Sequence, residues 1–138
     1  MRRITPAVVV LIVGTLVTGC GGGDSHDKVA ADMVQNLQAI VRVLQSVTDK
    51  NTSEAAARKI RALGASMESA QDRFNALGKP SKEIGDQLNS KYGADINKAR
   101  NDIVAERDRI TKLGPDVLGP VDAAMRAAMK VPASPTTR

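Results

Sequence analysis

A seven-residue rhythm in the middle of the chain limits its fold more than any other feature. Ala56, Ile60, Leu63, Met67, Ala70, Phe74 and Leu77 follow one another at spacings of 4, 3, 4, 3, 4 and 3 residues. That spacing gathers the apolar side chains onto one stripe of an α-helix, the pattern of a helix packed along another helix. A strand would instead need alternation with a period of two. The stripe crosses Gly64 without losing phase, although glycine inside a helix costs about 1 kcal/mol relative to alanine. A weak or closely packed point is expected there. Glu54 and Arg58, four residues apart, support the first turns.

The flanking segments repeat the theme. Val29, Met33, Leu37, Ile40, Val41, Leu44 and Val47 form one helical face. The stretch "TDKNTSE" interrupts it, and Asn51 with Glu54 has the spacing of a capping box that would open the second helix. Gly78 suits a left-handed helix end, Pro80 cannot continue the helix, and Ser81 can cap the next one. The third helix is predicted from Ser81 to about Leu113. Its stripe is Ile84, Leu88, Tyr92, Ile96, Ala99, Ile103, Glu106, Ile110 and Leu113, weakened by Gly85 and Gly93. The pairs Lys91–Asp95, Lys98–Asp102 and Asp108–Lys112 predict a salt-bridged, solvated face. Glu106, in the apolar phase, predicts local exposure or a basic partner. "LGPDVLGP" then breaks the helix at Gly114-Pro115. Pro120 fits the first turn of a short last helix carrying Val121, Met125, Ala128 and Met129.

Phe74 and Tyr92 are the only aromatic side chains other than His26, and Trp is absent. Ala, Leu, Ile, Val and Met must build the core, which favours helices over sandwiches or barrels. The expected class is all-α. Short connections favour antiparallel neighbours, hence an up-down-up three-helix bundle with a short fourth helix across one end. The alternative is a long hairpin of the second and third helices completed by self-association. The helical domain is expected over 29–130, with a disordered tail at 131–138.

The first residues read differently. Arg2 and Arg3 precede an unbroken apolar run from Ala7 to Val13, and Leu16 and Val17 extend it. This is the layout of an export signal, too short for a spanning helix of about 20 residues. It leads into Val17-Thr18-Gly19-Cys20, with the only cysteine of the chain. One thiol cannot form an internal disulfide.

These four residues resemble the lipobox of bacterial lipoproteins, with Val17 where Leu is commoner. The resemblance implies a cleaved signal over 1–19 and a cut between Gly19 and Cys20. It also implies a diacylglyceryl group on the Cys20 sulfur, with N-acylation (palmitate among the usual chains). Two chains at one residue meet the physical need for stable anchoring. Gly21 is not Asp, which by the same resemblance leans towards the periplasmic face of the outer membrane over the inner membrane. The body looks like small helical lipoproteins of bacterial envelopes.

"GGGDSHD" would make a hydrated spacer over 20–28, reaching roughly 15 Å. The formal charge of +5 falls to 18 basic against 15 acidic side chains once Arg2 and Arg3 leave. A nucleic-acid partner is not expected. Neither is an enzyme, a cofactor or a metal site: His26 is the only histidine, Cys20 is the only thiol, and no phosphate-binding loop is present. The expected function is a membrane-tethered structural or protein-interaction module of the cell envelope, binding an envelope protein or itself. The alternative is a ligand- or lipid-binding carrier with a groove lined by Met33, Met67, Met125 and Met129.

Overall fold

The computed structural model of the chain describes residues 23–129. The signal expected over 1–19, with Gly19, Cys20 and the tail expected over 131–138, lies outside them. Among the described residues there are four helices and no strands: α1 (His26–Gln45), α2 (Lys50–Ala76), α3 (Lys82–Thr111) and α4 (Pro115–Ala128).

Local chemistry sets the boundaries. Helix α1 starts three residues before Val29, because Ser25 accepts a hydrogen bond from the Lys28 amide and acts as N-cap. Residues 26–28, expected in the spacer, therefore form its first turn. Helix α2 is capped by Asp49 and Thr52 rather than by Asn51 and Glu54. The Asp49 carboxylate accepts from the Thr52 amide at 2.9 Å, and the Thr52 hydroxyl accepts from the Asp49 amide at 2.9 Å. Two orphan donors are thus satisfied reciprocally. Gly78 takes φ +77° after α2, and Ser81 caps α3 by accepting from the Ile84 amide. Gly114 takes φ +115° and places Pro115 at the start of α4. Pro120 consequently sits in the second turn, not the first, and leaves the Asp116 carbonyl without its usual intrahelical donor.

Cross-links between helices give their directions. Asn36–Ser66 and Asp32–Arg73 make α1 and α2 antiparallel. Asp27–Lys91 and the Leu44 carbonyl with Arg109 make α1 and α3 parallel. Ser53 with the Val117 carbonyl, and Gly64 against Ala128, make α2 and α4 parallel. The helices are neighbours in the ring α1–α2–α4–α3, and neither α2–α3 nor α1–α4 packs directly. The short turn at 77–81 joins α2 to α3 without making them a packed hairpin, since each lies against α1. Helix α4 lies along α2 instead of across an end. Gly64 explains this placement: a Cβ there would stand 2.6 Å from the Ala128 Cβ, so only glycine admits α4 so closely.

The 46–49 and 112–114 turns mark the top of the molecule, and the start of α1 with the 77–81 turn marks the base. The contiguous core fills the top, from Ile40, Leu44 and Val47 through Ala56 and Ile60 to Ile110, Val121 and Ala124. Glu106 is half-buried and pairs with Arg109 at 2.7 Å, as its phase suggested. Arg109 also donates to the Val47 and Leu44 carbonyls at the end of α1. Lys98 meets Asp102, but Lys91 reaches across to Asp27 rather than along its own helix to Asp95. Of the α3 stripe, Ala99, Ile103 and Ile110 are buried, whereas Ile84 and Leu113 are exposed.

Candidate functional site

Helix α4 has 14 residues, so it runs about 21 Å, while α2 with 27 runs about 40 Å. It therefore fills the space between α2 and α3 only in the upper part of the ring. Below Ala128 no described helix occupies that place, and an apolar groove of about 1200 Å³ opens there. Ala30, Met33 and Leu37 of α1 make its floor. Met67 and Phe74 stand on the α2 wall, and Leu88, Tyr92, Ile96 and Val104 on the α3 wall. Ala127, Ala128 and Met129 close the upper end. Val104 is 59% exposed, a high value for a branched apolar side chain on a groove wall.

Helical phase accounts for these positions. Residues 67 and 74 belong to the heptad stripe of α2, and 88, 92 and 96 to the stripe of α3. Their stripes face inward, but the fourth neighbour that would cover them ends too early. Of the four methionines considered for a groove, Met33, Met67 and Met129 line it, and Met125 is buried in the upper core.

The base of the groove is held by polar ties. Arg73 bridges Asp32 at 2.6 Å and Asp24 at 3.2 Å. Lys91 binds Asp27 at 2.8 Å, and the Tyr92 hydroxyl donates to the same carboxylate at 3.0 Å. Those two bonds, Lys91 first, hold the Asp27 carboxyl below the usual carboxylate range, and Asp27 in turn raises Lys91. His26 meets Phe74 edge-on at 5.0 Å, with its Nε2 3.0 Å from the Gly78 carbonyl oxygen. The segment expected to be a free spacer is thus built into the fold from Asp24 onward. Gly23 stands only three residues beyond Cys20.

Charged side chains stand along the rim. Arg61, Glu68 and Asp72 are on the α2 side, and Arg100 is on the α3 side. None of the four belongs to an ion pair among the described residues. No group of three His, Cys, Asp or Glu side chains is placed to hold a metal among the described residues. No described helix is long and apolar enough to cross a membrane. A second, smaller cleft of about 210 Å³ lies between α1 and α3 and is lined mainly by polar residues, including Gln38, Arg42 and Asp95. The larger groove offers apolar contact with a charged edge, which suits binding rather than bond-making.

Sequence reasoning named three of the groove's methionines but not its place between α2 and α3, because a stripe does not announce what will cover it. It also missed Ser53, which is fully buried and donates to the Val117 carbonyl at 2.5 Å. No protein-family model, no curated protein and no solved structure matches the chain.

Proposed function

We propose that the chain is a membrane-tethered protein-interaction module of the bacterial cell envelope, and that the groove between α2 and α3 is its binding face. The observation that carries this reading is the half-covered ring: α4 ends at Ala128 while the apolar walls of α2 and α3 continue below it. Exposed apolar area of this kind marks interaction sites, and a groove between helices suits a partner helix. The three long helices, running up, down and up, act as the scaffold. Cys20 is the proposed lipid attachment site, exposed by cleavage after Gly19, and the periplasmic face of the outer membrane is the favoured location.

The short link between Cys20 and Gly23 supports a defined geometry. Three further residues span at most about 11 Å, so a lipid on Cys20 would hold the base of the bundle close to the headgroups. The groove would then open beside the membrane surface rather than far from it.

A photo-cross-linking residue at Ala65 or Val104, introduced in the full chain in cells, tests the binding face. One identified envelope protein should be captured at both positions, and Ala65→Trp should abolish its capture. Cross-links only to residues 130–138 of the same chain, or no protein cross-link, would refute the reading. Separately, Cys20→Ala should remove fatty-acid labelling and release the protein from membranes, and persistent labelling would refute the anchor. A lipid-carrier role is the second reading, favoured by the adaptable Met33, Met67 and Met129 on the groove surface. It would show as a co-purifying lipid in native mass spectrometry.

A further inference from the structure

We infer that the occupant of the groove is an amphipathic α-helix of about three turns, carrying two basic residues one turn apart on the flank that faces α2. The inference rests on the proposed binding function and names the chemistry of the partner. Three observations lead to it.

The first is shape. The open place continues the position of α4 in the ring, between the same two helices. Along α2 the uncovered wall runs from Ala65 to Asn75, about 15 Å at 1.5 Å per residue, or roughly three helical turns. The second is close approach. Gly64 shows how this bundle admits a helix, since Ala128 lies where a side chain would otherwise begin. Gly93 offers the same on the opposite wall: a Cβ there would meet only Asn89 of its own helix, and nothing across the groove. A second helix can therefore approach the α3 backbone as α4 approaches that of α2.

The third observation is charge. Glu68 and Asp72 stand one turn apart on the α2 rim, both exposed and without an ion-pair partner among the described residues. The register of the helices places Arg100 of α3 across from Glu68. The uncovered length of the α2 wall is thus acidic, in a chain whose net charge is positive. A helix with its apolar face on Met33, Met67 and Ile96 would bring its flank onto these carboxylates. Lys or Arg at an i, i+4 spacing would meet both, and an acidic residue on the other flank would meet Arg100. Complementary charge at such a rim selects the partner more than it adds raw affinity.

The test uses the full chain in phospholipid nanodiscs and side-chain-stapled 14-residue peptides, since unstapled helices of this length are marginal in water. One peptide carries an apolar face with an i, i+4 Lys pair, and its twin carries Glu in place of Lys. Fluorescence anisotropy, with empty nanodiscs subtracted, should show the Lys peptide binding about tenfold more tightly at low salt, the size expected of two rim ion pairs. The double variant Glu68→Lys with Asp72→Lys should reverse that preference, and Ala65→Trp should abolish binding of both. Equal binding of the twins, or a preference untouched by the double variant, would overturn the inference. So would absent peptide binding with co-purified lipid retained in the groove. In-cell cross-linking keeps the two readings separate. If a protein is captured but the twins bind alike, the partner chemistry is wrong and the binding function stands. If no protein is captured, the function falls whatever the peptides do.

Discussion

The top and the base of this bundle are built from the same helices by different physics. At the top four helices meet, and their apolar stripes close on one another around Ile40, Leu44, Ile60, Ile110 and Val121. At the base only three are present, and the buried side chains there, Val29, Val34, Leu37, Ala70 and Ala99, are fewer and mostly smaller. Ion pairs and aromatic edges hold the base: Arg73 with Asp24 and Asp32, Lys91 with Asp27, and His26 on Phe74. Burial is strong and non-directional, whereas exposed ion pairs contribute little apiece. Stability therefore belongs mainly to the top. The base is free to present apolar walls because it is not needed to hold the fold together.

The largest expected effect tests that division directly. Ile60 is fully buried where α1, α2 and α4 meet. Ile60→Ala should cost about 2–5 kcal/mol in urea unfolding, by lost burial and an unfilled cavity. Leu88→Ala, on the half-buried wall of the groove, should cost about 1 kcal/mol or less. Equal losses at the two sites would break the comparison, since the base would then carry as much of the fold as the top.

Two glycines sharpen it further. Gly64→Ala drives a methyl to within 2.6 Å of the Ala128 Cβ and 2.7 Å of its Cα, so the end of α4 must move away from α2. A loss of about 1–3 kcal/mol is expected, the usual range for overpacking. Gly93→Ala meets only the exposed Asn89 side chain, at 3.0 Å, and that side chain can turn aside. There the helix propensity of alanine prevails, and a gain of about 0.5–1 kcal/mol is expected. The same substitution should thus change sign between the occupied and the unoccupied half of one groove. Thermal unfolding of both variants decides it, and destabilisation at Gly93 would mean that something already lies against that wall.

Much of this could be read from the residues alone. The stripes of α1 and α2, the left-handed Gly78, the Ser81 cap and the tight packing at Gly64 are local or periodic features, and periodicity reports which face is apolar. It does not report which helix covers that face. The stripe of α3 reads evenly from Ile84 to Leu113, yet Ile84 is exposed and Ile110 is buried, because α4 reaches only one of them. The capping error at α2 has a simpler cause. Asp49–Thr52 and Asn51–Glu54 are both plausible boxes two residues apart, and the reciprocal Asp49–Thr52 bonds decided between them. Lys91 chose Asp27 over Asp95 because parallel α1 and α3 bring the start of α1 beside it, a tertiary fact with no trace in sequence spacing.

The smallest expected effect separates the halves by pH. Asp27 is held below the ordinary carboxylate range, chiefly by its bond to Lys91 and then by Tyr92. Its stabilisation is present above about pH 4 and is lost as pH falls through the lowered folded value. Acid does not discriminate, however. Asp122 in the upper half is also lowered: burial pushes it up, but its bonds to Arg126 and Arg107 more than offset that. The alkaline side does discriminate. Lys91 is raised, chiefly by its bond to Asp27, so its stabilisation is full below about pH 10.4 and disappears as pH rises through the raised folded value. The top of the molecule ties Asp122 with arginines, which keep their charge over that range. Between pH 9 and 12 the methyl resonances of Val29, next to the base clamp, should shift while those of Val121 stay in place. Lys91→Met should shrink the Val29 transition without creating one at Val121. If Val121 moves together with Val29, the two halves melt as one unit, and the base is then as necessary to the fold as the core above it.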